Sequence, residues 1–83
     1  MRVSVITSIM PDGTVILKYE NGFSFEGYVD EKTNPTSGTL TTPEGDKYYF
    51  PYIHENIFNV FSLIKEQKLE NYKINEENSD ETV

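Results

Sequence analysis

Three tight turns, each closing on glycine, divide the first fifty residues: Pro11-Asp12-Gly13, Glu20-Asn21-Gly22 and Pro43-Glu44-Gly45. In each, the residues before the glycine suit a type I turn, and the glycine suits the left-handed position that follows. That combination makes a short hairpin loop with a bulge. Proline at the second turn position sets φ in advance. The intervening stretches, "RVSVITSIM", "TVILKY", "FSFEGYV", "GTLTT" and "DKYYF", carry β-branched and aromatic residues with period-two alternation. Hairpin follows hairpin, so the expected fold is mainly β within an α+β class: an antiparallel meander of about five strands. Residues 30–37, "DEKTNPTS", contain no apolar side chain but the proline and read as a loop.

After Tyr52 the pattern changes. Ile53, Ile57, Val60, Phe61 and Ile64 recur at helical spacing, with Phe58 and Leu63 widening the stripe and Lys65, Glu66, Gln67 and Lys68 on the polar side. This predicts one C-terminal amphipathic helix over about 53–71 that closes the sheet's apolar face. The domain is expected to span 1–73, with 74–83 an acidic disordered tail.

The turns also reveal an internal period. Gly22 falls on Gly45 at a spacing of 23 residues, and the same shift places Leu17 on Leu40 and Phe25 on Tyr48. The stretch "FEGYVDEKTNPTSGTLTTPEGDKY" resembles one unit of the MORN-repeat family. Phe25 and Gly27 stand at the aromatic-x-Gly positions, and Gly38, Leu40, Gly45 and Tyr48 at the positions of the second half. The resemblance covers about residues 14–50, one good unit with a degenerate partial copy before it. Val29 departs from the family's second aromatic, Lys32 and Thr36 stand where glycines are usual, and "YF" after Tyr48 breaks the next unit. The resemblance implies stacked hairpins in which an aromatic from a neighbouring hairpin, Tyr48 among them, covers a glycine. A chain with so few units needs caps, and the N-terminal strand and the helix are the expected ones.

Charge narrows the function. The chain of 83 residues carries a net −7, of which Glu76, Glu77, Asp80 and Glu81 supply −4 in the last nine residues. The remaining body has −3 and no basic patch, which argues against direct nucleic-acid binding and against an anionic membrane. No apolar run is long enough to span a bilayer, and "MRVSVITSIMPDG" reads as a strand rather than a signal peptide. The absence of cysteine fits a reducing, cytoplasmic setting and excludes thiolate metal sites.

Catalytic chemistry finds few candidates. His54 is the sole histidine, with adjacent Glu55 but no nucleophile at a useful spacing. Glu44 and Asp46 flank Gly45 as turn residues do, and no glycine loop with Lys and Ser/Thr for phosphates is present. No enzyme activity, cofactor or metal is expected. The expected function is a protein-interaction module that uses an aromatic and acidic sheet surface. Tyr49, Tyr52, Glu44, Asp46 and Phe58 are the expected partner contacts, and Gly22, Phe25, Gly27, Gly38, Leu40, Gly45 and Tyr48 are structural. Alternation sends Tyr48, Phe50 and Tyr52 to one face and Tyr49 to the other. The expected partner is a protein, and the acidic balance favours a basic one. Two further readings stand beside this one: a small acidic inhibitor, phage- or plasmid-encoded, of a nucleic-acid-handling or host-defence protein, and a structural component that pairs with itself as a homodimer through a strand edge at Arg2–Met10 or Asp46–Phe50 or through the wide helix stripe.

Overall fold

The computed structural model describes residues 5–74. Five strands, β1 (Val5–Ile9), β2 (Val15–Lys18), β3 (Ser24–Val29), β4 (Pro35–Thr41) and β5 (Lys47–Phe50), lie side by side in chain order in one antiparallel sheet. A single helix, α1 (Ile57–Lys65), and a 3-10 turn at Glu70–Tyr72 follow. No helix among the described residues is long and apolar enough to cross a membrane.

The three glycine turns form as the residues dictate. In each, the glycine N–H donates to the carbonyl three residues back, from Gly13 to Met10, Gly22 to Tyr19 and Gly45 to Thr42, at 2.9–3.0 Å. The glycines take φ of 95°, 97° and 100°, the left-handed region that penalises a side chain. The stretch expected to be a loop is a fourth hairpin of the same design. Thr33 N–H donates to Asp30 carbonyl, Asp30 N–H donates to Asn34 carbonyl, and Thr33 occupies the left-handed position at φ 68°. A β-branched residue is unfavourable there. The Asp30 carboxylate offsets it by accepting from the backbone N–H groups of Lys32 and Asn34, both at 2.8 Å. Those bonds hold its carboxyl below the usual aspartate range, the Asn34 N–H contributing most. Pro35 then opens β4.

The 23-residue period has a spatial meaning. Leu17 pairs with Phe25, Phe25 with Leu40, and Leu40 with Tyr48, so residues related by the period share one cross-strand row two strands apart. Leu17, Phe25 and Leu40 are the most deeply buried side chains. The row sits in a core formed by Val15, Tyr19, Phe23 and Phe50 from the sheet and Ile57, Val60, Phe61 and Ile64 from α1. Gly27 and Gly38 face each other across β3 and β4. A methyl group on Gly27 would strike the Ser37 carbonyl and lie 2.7 Å from Gly38 Cα and 2.9 Å from the tip of the Phe25 ring. The aromatic over the glycines is thus Phe25, from the same strand, and not Tyr48 from the neighbouring hairpin. Tyr48 instead stacks on Phe50, ring centroids 6.4 Å apart.

The helix is shorter than its apolar stripe. Asn56 caps its start, the side-chain oxygen accepting from Phe58 N–H at 2.8 Å, so Ile53 lies before it. It ends in a paired-bond stop: Gln67 N–H donates to Ile64 carbonyl and Lys68 N–H to Leu63 carbonyl, with Gln67 at φ 63°. The chain then returns to the sheet, where Lys73 bridges to Tyr48 and Ile74 N–H donates to Lys47 carbonyl at 2.8 Å. The acidic residues Glu76 to Glu81 lie outside the described residues.

Candidate functional site

A sheet with one covered face leaves the other face open. Outward-pointing residues form rows by register: Ile16, Glu26, Thr39 and Tyr49 in one, Lys18, Ser24, Thr41 and Lys47 in the next, and Tyr28 with Ser37 in a third. Among the described residues no second layer packs on this face, since the helix joins the opposite one. Ile16, Ser24, Glu26, Thr39, Thr41, Lys47 and Ile74 border a shallow depression of about 340 Å³ on it. Two tyrosines stand out from the face. Tyr49 keeps 51% of its surface and Tyr28 keeps 49%, whereas Tyr48, one residue from Tyr49, keeps 4%. Tyr28 was not among the expected contacts; the period-two alternation of "FSFEGYV", continued from Ser24 and Glu26, is the signal that could have found it.

The other expected contacts scatter. Tyr52 does not share the core face with Tyr48 and Phe50. Strand β5 ends at Phe50, and Tyr52 lies in the connection to α1, 74% exposed and stacked on His54 with centroids 5.9 Å apart. It borders a smaller hollow of about 140 Å³ with Phe50, Leu63, Leu69 and Tyr72. Phe58 is half-buried, its ring edge-on to Tyr19 at 6.1 Å and to Phe61 at 5.4 Å, so its contacts are those of a core margin.

Glu44 and Asp46, by contrast, come together with residues the sequence did not single out. The turn between β4 and β5 faces the C-terminal end of α1 and the 3-10 turn across a cleft of about 340 Å³. Glu44 and Asp46 line one side, Lys65, Gln67 and Glu70 the other, with Tyr48 and Lys73 between. Lys73 Nζ lies 3.9 Å from an Asp46 carboxylate oxygen, a long pair between half-exposed groups. The Tyr48 phenol is pushed up from its ordinary range, first by burial and then by Glu70, with Asp46 and Glu44 adding and Lys73 opposing. The negative field at that hydroxyl is therefore built from both walls. Glu70 lies 26 residues from Glu44 in the chain, too far for a spacing argument to find.

Among the described residues no group of three His, Asp or Glu side chains is placed to hold a metal ion. Every buried side-chain nitrogen and oxygen among them has a hydrogen-bond partner. His54 is exposed against Tyr52. In comparisons with protein-family models, with curated proteins and with solved structures, no match to this chain emerges.

Proposed function

We propose that the chain is a non-catalytic protein-interaction module that binds a partner through the open face of its sheet. The observation that carries this reading is the exposure of Tyr49 and Tyr28, about half of each side chain, on a face bordered by small polar residues. Tyrosine in such a position offers a large rigid contact area at little entropic cost, and it is enriched at binding hot spots. The face is built on five paired strands, so it is preorganised. The partner is a protein, and the chain's net −7 favours long-range encounter with positive charge and opposes nucleic acid.

The test compares immobilised wild-type chain with a Tyr28→Ala/Tyr49→Ala variant in extracts of the source cells. The double variant is expected to fold and to lose a captured protein that the wild type retains, with at least a tenfold drop in affinity once that protein is purified, the size of one lost hot spot. Equal capture by both chains, or none by the wild type, removes the reading.

Self-association has one specific observation in its favour. Lys73 and Ile74 pair onto β5, covering part of that edge of the sheet, while Ile9 on the opposite edge strand keeps 70% of its surface. Among the described residues no strand pairs with the outer side of β1, and an open edge strand is a template for pairing. Light scattering at two concentrations tests this, and a strict monomer excludes it.

A further inference from the structure

The open face of the sheet is positive in an acidic chain. Strands β2 to β5 carry three charged residues, Lys18, Glu26 and Lys47, and all three stand on that face. Lys18 and Lys47 belong to one row, with Ser24 and Thr41 between them. Glu26, the one opposing charge, lies in the next row, two residues along β3 from Ser24. Lys68 and Lys73 pair with Glu66 and Asp46, whereas among the described residues Lys18 has no ion-pair partner.

A second observation brings the acidic end of the chain to that row. Ile74 N–H donates to the Lys47 carbonyl, so Ile74 extends the row by one position beyond β5. Its side chain borders the depression of about 340 Å³ on the open face, which runs past Lys47, Thr41 and Ser24 to Glu26 and Ile16. The depression thus opens where the described chain ends. The next seven residues carry four carboxylates, Glu76, Glu77, Asp80 and Glu81, and no base.

We propose that the segment 75–83 lies across the open face along the row Lys47, Thr41, Ser24 and Lys18, with its carboxylates against the two lysines. The lengths match. Neighbouring strands are about 4.8 Å apart, so four spacings place Lys18 about 19 Å from Ile74. An extended chain advances about 3.3 Å per residue, which puts Glu76 and Glu77 about 7–10 Å from Ile74, beside Lys47, and Asp80 and Glu81 about 20–23 Å from it, at Lys18. Asn75 suits the change of direction that this path needs on leaving Ile74. The hydroxyls of Ser24 and Thr41 offer donors to carboxylates between the lysines. Tethering at the mouth of the depression gives this segment a local concentration that no free acidic peptide matches. Tyr49 stands in the neighbouring row and Tyr28 beyond it, so the seat leaves both tyrosines uncovered. The contact is intramolecular and needs no partner.

The chain contains no cysteine, so Ser79→Cys accepts a single nitroxide label. Amide resonances of the isotope-labelled full chain are compared at low salt with the nitroxide active and reduced. Lys18, Ser24 and Thr41 are expected to lose most of their intensity, while Ser62, exposed on the far side of α1, keeps its own. Lys18→Gln/Lys47→Gln, which alters two exposed side chains, is expected to restore the lost intensity. Glu76→Gln/Glu77→Gln/Asp80→Asn/Glu81→Gln is expected to do the same, as is salt high enough to screen exposed charges from one another. Equal loss at Ser24 and Ser62, no loss at either, or loss that survives in the lysine variant overturns the proposal. So does equal loss at Ser24 when the nitroxide sits on a second, isotopically unlabelled chain, which makes another copy the occupant. Failure here leaves the protein-binding reading standing, and failure of the capture experiment leaves this contact standing.

Discussion

Tyr48 and Tyr49 are neighbours on β5, and alternation sends them to opposite faces of one sheet. Tyr48 joins a face on which Leu17, Phe25, Leu40 and Phe50 are packed under α1, and its exposure falls to 4%. Tyr49 joins a face of Ser, Thr, Lys and Glu, and half of it stays in contact with solvent. The same residue type therefore serves packing on one face and display on the other. The core face holds the packed side chains, and the open face leaves its tyrosines half in solvent. Substitutions on the two faces should accordingly separate stability from recognition.

The largest separation is expected at Phe25. Its side chain is 1% exposed, pairs with Leu17 and Leu40, and touches the facing glycines. Phe25→Ala should cost about 3–5 kcal/mol, much of the stability a domain of this size has. Urea denaturation followed by circular dichroism reads the loss, and a cost below about 1 kcal/mol would break the contrast between the faces. A smaller loss of about 1–3 kcal/mol is expected for Gly27→Ala, where the added methyl meets backbone that cannot yield easily.

Alkaline titration sharpens the comparison next. Burial pushes the core-face Tyr19 phenol up to about 12 from 10.0. The unfolded chain then loses this proton first. Stability from Tyr19 is complete below about pH 10 and declines as pH rises from there towards 12. Tyr19→Phe should weaken this alkaline decline, and an undiminished decline in that variant would contradict the assignment to Tyr19. Denaturant midpoints between pH 9 and 12 measure the decline.

The four turns form a finer contrast. Three use glycine at the left-handed position, and the fourth uses Thr33 with the Asp30 carboxylate as brace. Thr33→Gly should relieve the unfavourable φ and stabilise the chain by about 0.5–1 kcal/mol after the glycine's added unfolded-state entropy is counted. Thermal denaturation measures it, and a loss of stability would mean that Thr33 is not strained.

The same contrast explains what the sequence made readable. The glycine turns, the period-two strands, the five-strand meander and the closing helix could be read because each rests on a local rule. The 23-residue spacing of Leu17 with Leu40 and Phe25 with Tyr48 could be read because register converts chain distance into a shared row. The fourth hairpin was missed because Asp30 supplies through a carboxylate what the other turns obtain from a glycine, and "DEKTNPTS" has no apolar marker. The helix was drawn too long because Ile53 and Leu69 continue its stripe while Asn56 and Gln67 stop its backbone. For the candidate site, Tyr49, Glu44 and Asp46 were legible from alternation and turn position. Glu70 was not, because only the folding of the 3-10 turn against the sheet brings it near Tyr48. Tyr52 was placed on the core face by continuing the alternation of a strand that ends two residues before it.

The smallest effect on stability should accompany the largest effect on binding. Tyr28→Ala and Tyr49→Ala, on half-exposed side chains, are each expected to change stability by about 0.5 kcal/mol or less. The decisive measurement places a photo-activatable phenylalanine analogue at position 49 in one chain and at Ser62, exposed on the far side of α1, in another. Irradiation in extracts of the source cells should link a discrete protein to the chain labelled at 49 and not to the chain labelled at 62. Linkage from 62 alone, or equal linkage from both, would contradict the assignment of recognition to the open face of the sheet.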